Sequence, residues 1–261
     1  MFSTPILFLL FNRLDTVRRV FPEIKRQRPG SLYIAGDGPR PHKGEAEKQA
    51  CAAVREWVLS EIDWDCDVHT LFREENLGCG KAVADAITWF FGEVTEGIIL
   101  EDDILPDPTF YMFCEEMLTR YRDDDRIGHI TGVNYQDDMA GYPYSYYFSV
   151  YSHVSGWAGW RSTWDDFDYD MAAWKAIRED KRAIRELMSG VYSASSRKYR
   201  SAQFDKMVYG DSDDAWDYRH LFCLWRQKRL TIIPSVNLTE NIGIGEDATH
   251  SGVLPWYKLQ K

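Results

Sequence analysis

The sequence has no CxxC pair, and its five cysteines, Cys51, Cys66, Cys79, Cys114 and Cys223, are scattered along the chain. An odd, dispersed set argues against a disulfide framework and fits a reducing compartment. Long apolar runs are also missing. The run from Pro5 to Phe11 falls far short of the ~20 residues that cross a bilayer, and no basic leader or small-residue cleavage site goes with it. Basic charge is in short supply: 31 Lys and Arg stand against 41 Asp and Glu, a net charge of −10. That argues against non-specific nucleic-acid binding, which needs a basic surface. There is no Walker A pattern, no internal repeat and no low-complexity linker. The expectation is a cytoplasmic protein that meets a membrane at most peripherally. The basic residues within 18–28 and 181–200 are either solvated helix faces or a contact for the anionic inner face of a membrane.

What is present is a core. Hydrophobic residues make up 44% of 261, enough for one large α/β domain. The first half alternates strand and helix. Pro5 to Phe11 reads as a buried strand. Leu14 to Arg28 reads as a basic helix that Pro22 should kink or split and Pro29-Gly30 stops. Leu32 to Ala35 is a second strand, Lys43 to Ser60 a helix, Asp67 to Phe72 a third strand. A helix follows through Phe91, then a fourth strand. Such alternation predicts a mostly parallel, Rossmann-like central sheet flanked by helices. Beyond it, Pro108 to Tyr121 reads as helix, Ile127 to Thr131 as strand, Met171 to Met188 as one amphipathic helix, Val191 to Gly210 as a loop-rich mobile flap, Asp214 to Lys228 as helix and Leu230 to Pro234 as strand. One domain spans 1–261, with a smaller mixed half after residue 105.

The candidate chemistry lies at strand ends. In IILEDD, three apolar residues stop at Glu101, Asp102 and Asp103. Open α/β sheets bind ligands at the carboxyl ends of their strands. Crowded carboxylates need a positive partner, and Mg²⁺ or Mn²⁺ suits carboxylate oxygens; the alternative is a solvated acidic turn. Asn12 and Arg13 end the first strand. Asp37, in Gly36-Asp37-Gly38, is a binding residue or ordinary turn chemistry. Gly78, Gly80 and Lys81 open a helix and are suited to receive phosphate. Trp157, Trp160 and Trp164 repeat at helical spacing, which reads as core packing; Gly156 and Gly159 leave room for Trp157 to floor an acceptor site instead.

Four stations, FNRLDTVRRVF (11–21), AGDGPR (35–40), ILEDDILPDPTF (99–110) and AWDYRHLFCLW (215–225) with the following IIPSVNL, stand in order along the chain. Together they resemble bacterial nucleotide-sugar glycosyltransferases of the GT-A fold, and among those the N-acetylglucosaminyltransferase I-like enzymes, over residues 4–252. The resemblance implies a metal-dependent, inverting transfer of a sugar from a nucleoside-diphosphate donor to a glycan or glycolipid acceptor in surface polysaccharide synthesis, with UDP-GlcNAc as the model donor. It implies a nucleotide-sugar half at 1–105 and an acceptor half at 106–261. Asn12, Arg13, Asp37, Lys81, Glu101 and Asp102 would hold the nucleotide sugar, Asp103 and His250 the Mn²⁺ or Mg²⁺, and Trp157 and Asp214 the acceptor. Asp217 would be the catalytic base, unless Asp213 or Asp214 takes that role or Asp217 is an ordinary first-turn helix acid. Two departures stand out: the triplet is EDD rather than DxD, and WDY places a single carboxylate after the tryptophan. A sugar-phosphate nucleotidyltransferase would want a glycine-rich loop after the first strand, where Phe11-Asn12-Arg13 has none. A non-catalytic carbohydrate-binding protein is the third reading.

Overall fold

In the computed structural model, which describes residues 2–136, 139, 141–191, 193–210 and 215–243, the apolar run near the start becomes a strand covered on both faces. This strand, β1 (Ile6–Leu10), is buried at every position, as an unbroken row of large aliphatics requires. Helix and strand then alternate: α1 (Leu14–Gln27), β2 (Ser31–Gly36), α2 (Gly44–Ser60), β3 (Asp67–Phe72), α3 (Cys79–Glu93) and β4 (Glu96–Glu101). β3, β2, β1 and β4 pair in that order, all parallel. The second half contributes β5 (Ile104–Pro106), α4 (Pro108–Tyr121), β6 (Ile127–Thr131), β7 (Tyr146–Ser149), β8 (Trp157–Trp160), α5 (Arg161–Trp164), α6 (Ala172–Ile177), α7 (Lys181–Leu187), α8 (Ala194–Tyr209), α9 (Trp216–Arg226), β9 (Leu230–Pro234) and β10 (Thr239–Asn241). Its strands continue the same sheet beyond β4 in the order β8, β6, β9, β7. β8 runs antiparallel to both neighbours, β7 antiparallel to β9, and β6 parallel to β9. The architecture is the expected one: a mostly parallel central sheet flanked by helices, mixed in its C-terminal part. β5 and β10 form a separate antiparallel ribbon beside it. Among the described residues no helix is long and apolar enough to cross a membrane.

The period of two in β1 divides the core. Ile6, Phe8 and Leu10 face α1, α2 and α4. Leu7 and Leu9 face α3 and α9. A third cluster, from Met171, Trp174, Phe204, Phe222 and Trp225, seats the short helices of the second half on α9.

Four expectations need correction. α1 is not split at Pro22; the carbonyl deprived of its donor belongs to Arg18, an exposed residue whose backbone water can reach. The segment from Met171 to Met188 is two helices, because Asp180 caps a new one by accepting from the N–H groups of Arg182 and Ala183. The segment expected as a flap is largely α8, capped by Ser193 and seated by Phe204 and Met207. Its polar surface is that of a helix with little of it buried. The tryptophan stripe is not helical either. β8 puts Trp157 on one face of the sheet and Trp160 on the other, and Trp164 returns to the first from α5. Trp157 is 1% exposed, stacked at 4.9 Å on His129 and packed near Trp216.

Beneath Trp157 lies a buried histidine pair. His129 Nε2 sits 2.9 Å from the carbonyl oxygen of His153, so it carries the proton. His129 Nδ1 then accepts from His220 Nε2 at 3.1 Å, and His220 Nδ1 has no partner among the described residues. Burial pushes His129 down to about 3 and His153 to about 4, and holds His220 well below its ordinary value, with His129 adding repulsion there. These groups favour the fold as neutral rings. Their stabilisation is complete above the ordinary 6.5 and is lost as pH falls through 4 towards 3. Two acids oppose them: Glu101, raised to about 8, and Asp102, raised to about 6, favour the fold when protonated, and that contribution is lost as pH rises through 6 and 8. With three histidines against two acids, urea denaturation without metal should find greatest stability between about pH 6 and 7 and a clear loss of stability by pH 4. Equal stability at pH 4 and pH 6.5 would sink this account.

Candidate active site

A cavity of about 410 Å³ opens at the carboxyl ends of β1, β2 and β4. Leu9, Ala35, Ala82, Val83 and Ala86 form an apolar wall, and Arg13, Asp37 and Glu101 to Asp103 the polar side. The parallel register brings these groups together. β1 pairs with β4 from Ile6 to Leu9, so the chain leaves β1 just where β4 reaches its acids.

Phe11 N–H donates to Asp102 Oδ2 at 3.2 Å. Arg13, immediately before α1, donates through Nη2 to Asp102 Oδ1 and lies 3.1 Å from Asp103 Oδ2. Burial weakens the charge on Arg13, but Asp102 and Asp103 outweigh it and its pKa is raised. Burial likewise pushes Asp102 up to about 6 against the pull of Arg13. Glu101, next to the pair, has no hydrogen-bond donor among the described residues. Burial, then Asp103 and Asp102, push it up to about 8; Asp217 adds to this, so its charge reaches Glu101. Asp102 and Asp103 thus share one guanidinium, with Glu101 beside them.

Asp37 serves its own loop. It accepts from the N–H groups of Gly38, Leu77 and Gly78 and from Asn76 Nδ2, at 2.8–3.1 Å. Its carboxylate therefore ties the end of β2 to the turn that opens α3. Gly78, with φ 84°, is the N-cap residue there. Asp37 nonetheless sits a little above its ordinary value, since burial outweighs those bonds. Asn12 lines the cavity and donates to Glu47 Oε1 at 3.1 Å. Glu47 also binds Arg40 through the backbone N–H and Nε.

Of the expected residues, Asn12, Arg13, Asp37, Glu101, Asp102 and Asp103 all line the cavity. Lys81 does not. α3 presents Cys79, Ala82, Val83 and Ala86 to it, a helical stripe that Lys81 misses, and Lys81 is exposed. Trp157 is core, with its indole N–H unpartnered among the described residues, and is not part of the lining. Asp217 is partly covered in the first turn of α9, outside the lining but within electrostatic reach of Glu101. Asp213, Asp214 and His250 lie outside the described residues. Sequence reasoning missed Arg73, Asn76 and Gly243, which also line the cavity. Gly243 follows β10 and packs on the acids: a Cβ there would come within 2.2 Å of Asp103 Oδ2.

Among the described residues no three His, Cys, Asp or Glu side chains are grouped to hold a metal by themselves. The donor set does fit a hard divalent cation. Asp103 is 16% exposed and engages Arg13 through Oδ2 alone, and neighbouring Glu101 has no donor among the described residues.

No model of a known protein family matches the chain, and no curated protein matches it in sequence. Among solved structures the chain is similar to the apo form of mouse xyloside xylosyltransferase 1, at 9% identity and a TM-score of 0.45, over 88% of this chain and 84% of that one. TarS 1-349 from S. aureus gives 11% identity and 0.40, over 65% of this chain and 50% of that one. HddC from Yersinia pseudotuberculosis gives 13% and 0.36, over 63% and 80%. Similarities at this level leave the activity to be argued from the residues.

Proposed function

We propose that the protein transfers a sugar from a nucleoside-diphosphate donor, a UDP-sugar in the first instance, to a hydroxyl of a glycan or glycolipid acceptor. One observation carries the reading: Arg13, Asp37 and the run from Glu101 to Asp103, far apart in sequence, close round one cavity at the strand ends, opposite an apolar wall. The wall suits a base and the acids suit ribose hydroxyls. Asp103 would hold a Mg²⁺ or Mn²⁺, with Glu101 beside it. When bound, that ion supplies positive charge to the departing diphosphate. Arg13 keeps Asp102 and Asp103 oriented before the donor arrives. Asp217 would take the proton of the acceptor hydroxyl as the C–O bond forms. With base and leaving diphosphate on opposite faces of the sugar, attack is in line and the anomer inverts.

Calorimetric titration of UDP, with and without Mn²⁺, tests the donor reading. Wild type should bind UDP only with the metal, and Asp103→Ala should weaken binding by about tenfold or more. Failure to bind UDP, GDP, CDP or dTDP in either condition would overturn the proposal. Release of pyrophosphate from a nucleoside triphosphate would instead make the protein a nucleotidyltransferase.

A further inference from the structure

Arg200, on α8, is held by aromatic rings rather than by acids. Its guanidinium carbon lies 5.3 Å from the centre of the Tyr151 ring, 5.5 Å from that of Tyr199 and 5.6 Å from that of Tyr218. The hydroxyls of Tyr199 and Tyr218 meet at 3.3 Å. Among the described residues Arg200 has no hydrogen bond and no ion pair. That sets it apart from the other partly covered arginines. Arg13 has Asp102 and Asp103, and Arg178 has Asp205. Arg219 donates to the carbonyls of Tyr169, Ala215 and Met207, and Arg55 to those of Asp37 and Arg73. A half-buried guanidinium with no acid paired to it among the described residues, in a chain of net charge −10, is suited to an anion.

Two of the cage's segments run on to the cavity lining and to the base assigned above. Arg200 is close enough to His153 to help keep that imidazole neutral, and Val154 and Ser155, the next residues, line the cavity. On the other side, Tyr218 directly follows Asp217, whose charge reaches Glu101. Tyr199 is 52% exposed, so the cage is open to solvent along one flank. Tyr218, next to Asp217, puts the cage on the side of the base assigned above, where an acceptor would lie.

We propose that Arg200, framed by Tyr151, Tyr199 and Tyr218, binds an anionic sugar of the acceptor, its guanidinium taking the carboxylate or phosphate while a tyrosine ring packs on the sugar. The word acceptor rests on the glycosyltransferase reading; the anion site does not. Guanidinium is the side chain best matched to both oxyanions, through two parallel N–H bonds. Aromatic rings beside it supply an apolar face without a competing charge, which a neutral site for plain hexoses would not require.

Ligand-observed NMR titration with methyl β-D-glucuronide, glucose 6-phosphate and methyl β-D-glucoside decides the matter, with UDP plus Mn²⁺ titrated in parallel. Wild type should bind one or both anionic probes about tenfold more tightly than the glucoside, the gain of a charge-assisted hydrogen bond. The stronger of the two tells carboxylate from phosphate. Arg200→Gln should abolish that preference and leave UDP binding as in wild type. Arg200→Lys keeps the charge without the fork and should retain a weaker preference, so the proposal stays open to refutation if the glutamine variant does not fold. Equal binding of all three probes by wild type, or a preference that survives in Arg200→Gln, would overturn it. Failure of wild type to bind UDP while the anionic preference stands would remove the donor reading and leave the anion site intact.

Discussion

Replacing Arg13 with alanine should cost about 3–5 kcal/mol of stability and abolish nucleotide binding with it. The magnitude follows from what the change leaves behind. Asp102 has a side chain only 5% exposed, and Arg13 and the Phe11 N–H are its only hydrogen-bond donors among the described residues. With Arg13 in place, burial already raises Asp102 to about 6. Without it, Asp102 must take up a proton, or stay charged with a single amide for support, beside Asp103 and Glu101. The loss should therefore be smaller at pH 5 than at pH 8, since protonation relieves it. A second substitution, Asp102→Asn, in the Arg13→Ala background should restore more than half of the stability, because both ends of a coupled pair are then gone. Arg13→Lys should recover part at best: Nη2 of the guanidinium reaches Asp102 and Asp103 together, and a flexible ammonium has no such fixed geometry. Urea denaturation of the four proteins at both pH values checks this. A single-mutant loss within about 1 kcal/mol, the range of a surface ion pair, would show that Arg13 and Asp102 are solvated rather than paired.

Residues such as Arg13 and Asp102 were legible because their positions follow from the strand alone. A continuous apolar run ending in polar residues reads the same whether or not its neighbours are known, and β1 and β4 both have that form. The residues that escaped depend on packing between distant segments. Lys81 and Cys79 both belong to the first turn of α3, and their order in sequence does not say which faces the cavity; the strands under α3 decide it in favour of Cys79. Trp157, Trp160 and Trp164 have helical spacing by coincidence. Pairing of β8 with β4 and β6 overrides the periodicity and sends Trp157 and Trp160 to opposite faces. Asp37 was found as a residue, but its partners lie about 40 positions away in the turn at 76–78, a contact invisible along the chain. Gly243 is harder still, for it matters only because β10 pairs with β5 and carries the next turn onto Asp103.

The same long-range packing bears on the base, where the largest kinetic effect is expected. Asp217→Asn should lower the rate of nucleoside-diphosphate release from the sugar nucleotide by about 10²–10⁴-fold, the usual worth of a positioned general base, with UDP binding unchanged. The side chain is poised by its helix. α9 is anchored by Trp216, His220 and Leu224, all buried, and Trp216 packs near Trp157 and Trp164. That anchoring holds the first turn of α9, and with it Asp217, within electrostatic reach of Glu101. Asp217 stands in the first turn of α9, where the positive end of the helix favours the ionised carboxylate that a base must be. Asparagine keeps the shape and removes the proton acceptor, so stability and donor affinity should survive. Measuring turnover with water in place of the acceptor reads the same step when the natural acceptor is not in hand, since a water molecule must also lose its proton to attack the sugar. A variant that turns over at the wild-type rate would move the base to another group. A variant that loses UDP binding as well would make Asp217 part of the donor site rather than the residue facing the acceptor.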